Sequence, residues 1–182
     1  MNKLFKKALS LVVAAAVTVS GAAVANSTTA NAAKSASIPV SIFFAANSNC
    51  KWLANNDGTG GAAKVAKTVK ITKGKPVSVS LTVNAKGTKV TEAAVFCVDT
   101  MGILKKFKKV KYSNISVKCD GKTVSGVKTA QGYFEPKAKT NSWRLSFFNK
   151  YGSDGDNTKS NGTAKKYKFK KNLVVSFTIT AK

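Results

Sequence analysis

The sequence predicts an all-β fold, a β-sandwich (jelly roll) of about eight strands with one short crossover helix. Three observations predict it. Runs in which apolar and polar residues alternate recur along the chain, Gly-, Asn- and Asp-rich turns separate them, and a single stretch places apolar residues at helical spacing. The clearest run is 142–147, where Trp143, Leu145 and Phe147 alternate with Ser142, Arg144 and Ser146. A strand of that pattern buries one face. It runs into Asn149-Lys150-Tyr151-Gly152, a polar turn that carries an aromatic ring.

The chain opens on a basic segment, residues 1–7, followed by an Ala/Val-rich apolar run over 8–24. Ala23-Val24-Ala25 is a small-residue cleavage site, and Ala30-Asn31-Ala32 offers a second. This pattern predicts a secretory signal peptide over 1–25, with alternative cleavage after 32, then a flexible leader over 26–36. Residues 37–182 form one domain. No other apolar run approaches the ~20 residues needed to span a bilayer, so the expected location is extracellular, either released or held at the cell surface.

Within the domain, 38–45 reads as a first strand, with Pro39 placing it at a sheet edge. A long Asn/Gly-rich loop follows and contains Trp52. That ring either faces a ligand or folds back to plug the core. Residues 67–72 and 77–83 alternate; 91–100 is more continuously apolar and reads as a strand covered on both faces. Residues 101–112 are the candidate helix, with Ile103, Leu104, Phe107 and Val110 set among lysines. Asp120-Gly121 marks a hairpin between 115–119 and 122–124. Tyr133 and Phe134 are adjacent, so in extended chain one faces in and the other out. Residues 173–181 close the fold with Val175, Phe177 and Ile179 inward.

Charge is the second strong feature. The chain carries 31 Lys and Arg against 7 Asp and Glu; removing Lys3, Lys6 and Lys7 with the signal leaves 28 against 7. Arg144 is the only arginine. Such a field attracts polyanions, although lysine is a poorer bidentate reader of phosphate or bases than arginine. The clusters at Lys105, Lys106, Lys108 and Lys109 and at Lys165, Lys166, Lys168, Lys170 and Lys171 are candidate polyanion contacts. Their alternative is a solvated surface.

The three cysteines, Cys50, Cys97 and Cys119, permit one disulfide in an oxidising compartment, and their spacing does not select a pair. Histidine is absent. That removes Ser-His-Asp and Cys-His catalysis and argues against a zinc site. The Asp154/Asp156 pair lacks the spacing and glutamate of a calcium loop. No cofactor, no metal and no enzymatic activity are expected.

The order of several segments resembles a carbohydrate-binding-module-like β-sandwich domain of secreted proteins of Gram-positive Firmicutes. The matching pieces are Phe43-Phe44 leading to Trp52, then Phe96-Cys97-Val98-Asp99 and the amphipathic connector. Ile115 to Lys122, Arg144 to Gly152, and Val175 to Thr180 complete the set. The resemblance implies a sandwich that binds glycans without catalysis. This chain departs from it in having Tyr151 where the family has Trp, and in being strongly basic.

Sugars are held by aromatic rings stacked on their C–H faces and by a few amide and carboxylate hydrogen bonds. Trp52, Tyr133 and Tyr151 are the candidate rings, with Asn149 and Asp99 as polar partners; Trp143 belongs with the core. The expected function is therefore a secreted, non-catalytic module that binds polysaccharide or cell-wall glycan. The alternative is an extracellular structural or assembly protein held on anionic wall polymers by its lysines. A nucleic-acid partner is less favoured by scattered lysines.

Overall fold

The computed structural model describes residues 34–134, 140–151 and 163–182. The expected signal peptide, the leader to residue 33 and the Asp154/Asp156 pair lie outside the described residues. The described chain forms two facing sheets, as the alternation requires. The larger contains β1 (Ser35–Ala46), β2 (Lys51–Asn55), β3 (Ala63–Lys64), β4 (Ala66–Thr72), β6 (Ala93–Thr100), β9 (Ala130–Tyr133) and β10 (Trp143–Asn149). The smaller contains β5 (Val77–Asn84), β7 (Val110–Cys119), β8 (Lys122–Thr123) and β11 (Asn172–Ala181). The larger sheet runs β3-β2-β1-β6-β10-β9, with β4 also paired to β1; the smaller runs β5-β11-β7-β8. The chain crosses between sheets after β4, β5, β6, β8 and β10, the alternation of a jelly roll.

Inward residues of both sheets make one core. On the larger sheet Ile42, Phe44, Phe96, Val98, Leu145 and Phe147 face Leu81, Val117, Leu173, Val175 and Phe177 of the smaller. Its centre is aromatic: Phe96 stacks on Phe147 with centroids 4.1 Å apart, and Tyr167 meets Phe96 edge-on at 5.0 Å. Tyr112 ties the sheets together. Its hydroxyl donates to the Trp143 carbonyl at 2.8 Å and also lies 3.1 Å from the Thr100 hydroxyl. Gln131 closes the adjacent flank, accepting the Tyr112 N–H and donating to the Tyr112 carbonyl, both at 2.9 Å. One side chain thus does the work of a neighbouring strand for the unpaired edge of β7.

Four expectations need correction. The crossover helix is a single 3-10 turn, Ile103–Lys105. Val110 and Tyr112 pair with Ala181 and Ile179 in β7, so the smaller sheet takes the residues a helix would need. Pro39 is not on an edge strand, because β1 pairs with β4 on one side and β6 on the other. Its carbonyl accepts the Met101 N–H, so its nitrogen faces the side where β6 has already ended and no ladder bond is lost. β1 begins at Ser35, inside the expected leader, because Ser35 and Ala36 already pair with Thr72 and Ile71. Trp52 lies not in a loop but on β2, whose pairing with β1 interrupts the long polar stretch.

No disulfide joins Cys50, Cys97 and Cys119 among the described residues. Cys97 pairs in register with Phe43, whereas Cys50 lies beyond the Ala46–Lys51 pair, four positions further along β1. At ~3.3 Å per residue that is ~13 Å, beyond the ~7 Å reach of a disulfide. Cys119 belongs to the other sheet. The protein should therefore show the same melting temperature and electrophoretic mobility with and without reductant, and an internal disulfide mapped by mass spectrometry would contradict this packing. Phe147→Ala should lower unfolding free energy by ~3–5 kcal/mol in a urea titration, since it removes the stacked partner of Phe96.

Candidate functional site

Alternation leaves an outer face on the larger sheet, and that face is not simply solvated. Every residue of β6 is buried. On the outer side Ala45, Ala94, Val95 and Cys97 form a second apolar cluster, joined by half-buried Phe43, Cys50 and Trp52. Beside it, Asp99 on β6 and Arg144 on β10 are direct cross-strand partners. Arg144 Nε donates to Asp99 Oδ1 at 2.9 Å and Nη2 to Oδ2 at 2.7 Å. The two side chains are 4% and 0% exposed. Burying either charge alone is costly; the two-pronged bond makes the pair tolerable. The guanidinium also stacks on rings, with Cζ 3.5 Å from the Phe134 centroid and 5.7 Å from that of Phe43. Phe43 and Phe134 are themselves 6.2 Å apart. The ion pair thus sits beneath an aromatic cover.

Next to this cover is a groove. Trp52 pairs with Ala45, which places its ring diagonal to Phe43 on the same face. Phe43 and Trp52, with Asn55 to Asp57, Thr59 and Gly60, line a cavity of about 330 Å³. Asn55 is consumed by the loop itself: its amide nitrogen donates to the Thr59 carbonyl at 2.9 Å and its oxygen accepts the Gly58 N–H. Asp57 accepts the Thr59 N–H at 3.0 Å and the Thr59 hydroxyl at 2.9 Å. The Thr59 backbone bond, reinforced by its hydroxyl, holds the Asp57 carboxyl below the usual carboxylate range, so it is an ionised acceptor at the groove wall. Gly60 adopts φ 66° where a side chain would be strained.

A neighbouring rim carries Tyr151, 56% exposed and the one large apolar side chain so exposed among the described residues. Asn149 Oδ1 accepts the Tyr151 N–H at 3.0 Å, and Lys150 Nζ donates to the Ser48 carbonyl at 2.8 Å, tying this turn to the one that precedes Trp52. A hydrogen bond from its side chain to Cys50 is the main reason the Tyr151 phenol titrates above its ordinary value.

The predicted site residues therefore separate. Trp52 lies in the groove and Tyr151 on the rim beside it. Tyr133 does not join them: it packs edge-on against Trp143, centroids 5.1 Å apart, at the far edge of the sheet from β2. Asp99 is sealed in its bond to Arg144 and offers nothing to a surface ligand. Asn149 is buried and shapes the Tyr151 turn rather than presenting its amide. Phe43, Asn56 and Asp57 join Trp52 in the groove without being marked as site residues by the sequence. Phe43 was recoverable, because two adjacent rings on an alternating strand must face opposite ways.

The lysines separate too. Lys105, Lys106, Lys108 and Lys109 precede Val110, the first residue of β7, while Lys170 and Lys171 are bonded to Asp120, just after its last residue, Cys119. A ten-residue strand lies between them. At ~3.3 Å per residue that is roughly 30 Å, several screening lengths in physiological salt. Lys166 is held in place by the carbonyls of Ser125 and Gly126, at 3.3 and 2.8 Å. They do not form one patch.

No known protein family, curated protein or solved structure matches the chain. What can be said of the site comes from its own geometry: two half-exposed rings above a polar loop with an amide and an ionised carboxylate. Asp99→Asn and Arg144→Met should each cost ~3–5 kcal/mol of stability, because each strands the partner's hydrogen-bonding groups in the interior. The double variant Asp99→Asn/Arg144→Met should recover part of that loss in a double-mutant cycle; strict additivity would show that the two residues do not act as a unit.

Proposed function

We propose that the protein is a secreted, non-catalytic module that binds polysaccharide in the groove of Phe43 and Trp52. The observation that carries this reading is the pairing of those two rings on one face, beside Asn56 and the ionised Asp57. Planar apolar rings match the C–H faces of pyranose sugars, and the amide and carboxylate match ring hydroxyls. Tyr151 extends the aromatic surface along the rim. Because the rings stand on strands and the loop is braced by Asn55, the groove is largely pre-formed, which lowers the ordering cost of binding.

The same groove supports the non-catalytic part of the proposal. Glycoside hydrolysis ordinarily uses two carboxylates across one bond. Asp57 is the one carboxylate among the described residues lining this cavity. Asp99, the carboxylate on the nearest strand of the same face, is committed to Arg144.

Affinity electrophoresis through gels of neutral polysaccharides tests the reading. Trp52→Ala and Phe43→Ala should each weaken retention by roughly tenfold or more, the effect of losing ~1.5–3 kcal/mol of apolar contact. Tyr133→Ala, at the other edge of the sheet, should leave retention unchanged. Binding held by stacking should barely respond to salt, whereas attachment of the whole protein through lysine would decline steeply with it. Wild-type retention in both ring variants would dismiss the groove as the site.

A further inference from the structure

A second concave site lies at the end of the sandwich where β6 and β11 begin. Three stretches remote in sequence meet there: Lys89 to Thr91, the Asp120–Lys122 hairpin, and Lys168 to Lys170, around a cavity of about 360 Å³. Val90 and Phe169 bridge the first and third stretches through reciprocal N–H to carbonyl bonds of 3.1 Å. Asp120 fastens the second to the third. Its Oδ2 accepts the Lys170 N–H at 2.8 Å, and its Oδ1 accepts those of Lys171 and Asn172 at 2.7 and 3.0 Å. The cavity is thus built by backbone and carboxylate bonds.

Its charge is one-sided. Lys89, Lys122, Lys168 and Lys170 line it, and all four are exposed. Asp120 is the one carboxylate in the lining, and its oxygens are already engaged by three backbone N–H groups. Buried Val90, Phe169 and Cys119 form the floor, and lysine stems extend that apolar surface up the walls. An apolar floor under a ring of ammonium groups suits a ligand with a C–H face and an anionic substituent. A nucleic-acid base would want an exposed ring to stack on, and the one ring here, Phe169, is 2% exposed.

The pocket also neighbours the aromatic rim. Asn47, in the turn before Trp52, donates from Nδ2 to the Lys89 carbonyl at 3.2 Å, and its Oδ1 accepts the Thr91 N–H at 2.9 Å and the Thr91 hydroxyl at 3.0 Å. The wall of the pocket and the turn leading to Trp52 are therefore one braced unit. We infer that this pocket takes the carboxylate of an acidic polysaccharide, a uronate seated among Lys89, Lys122, Lys168 and Lys170. The site stands on its own geometry and does not require the groove of Phe43 and Trp52 to be occupied.

Polygalacturonate and its fully methyl-esterified form share a backbone and differ in charge, so they are the probes. Calorimetry should show binding of polygalacturonate and its loss on esterification. Lys122→Gln/Lys168→Gln should weaken that binding by roughly tenfold and lower the slope of log affinity on log salt by about two, one for each removed contact. Lys67→Gln/Lys70→Gln on β4 makes the same charge change away from the pocket and should leave affinity within about twofold, as a screened field allows. Melting temperatures should match in both variants, since all four side chains are exposed. Trp52→Ala should keep polygalacturonate binding even where it abolishes neutral-glycan retention, which separates the two sites. Equal losses in the two lysine pairs, equal binding of the esterified polymer, tighter binding of single-stranded DNA of matched charge, or no binding at all would overturn the inference.

Discussion

The outer face of the larger sheet depends on the bond between Asp99 and Arg144. A strand apolar on both sides needs cover on both sides, and β6 is such a strand. On one side the second sheet supplies it. On the other, Phe43, Cys50 and Trp52 cover Val95 and Cys97, and beside them lies a charge pair roofed by Phe134 and Phe43. The guanidinium is held in plane by the carboxylate, and the rings rest on it. Breaking the fork would leave a buried charge and remove the floor under both rings, so the interaction links stability to the shape of the groove. That the single arginine among so many lysines occupies this position follows from its chemistry. A lysine ammonium cannot form the two parallel bonds or offer a flat face to a ring.

Much of the fold was legible because its strands are half-buried. The alternation of Val77, Val79, Leu81 and Val83, and of Val175, Phe177 and Ile179, names the inward face without ambiguity. Failures came where tertiary pairing overrode local pattern. The spacing of Ile103, Leu104, Phe107 and Val110 suits a helix, but the pairing of Val110 and Tyr112 with β11 outweighs it. Pro39 suggested an edge because a proline lacks a donor; the donor is missing on a side where no acceptor waits. The site was harder to see. A sequence marks aromatic and acidic residues but not which face of which sheet they occupy. Trp52 and Tyr151 stayed candidates, whereas Asp99 and Asn149 turned out to be supports, and Phe43 and Asp57 emerged once β1 and β2 were seen side by side.

The lysines show the same limit. Two clusters in sequence suggest two contact surfaces, yet position decides which are concentrated and which are merely solvated. Lys168 and Lys170 gain meaning from Lys89 and Lys122, which come from elsewhere in the chain. Asp120 brings them together by spending its charge on backbone N–H groups. A basic protein of this kind combines a diffuse positive field with a small number of places where lysines from separate stretches converge.

The central place of β11 in the smaller sheet has a consequence for when the fold can form. β5 and β7 do not touch each other through hydrogen bonds; each pairs with β11, which lies between them. Until residues 172–181 have been synthesised, the smaller sheet has no middle, and the inner face of the larger sheet lacks Leu173, Val175 and Phe177 to pack against. Such long-range pairing makes folding slow and late, because distant segments must find each other before any burial rewards them.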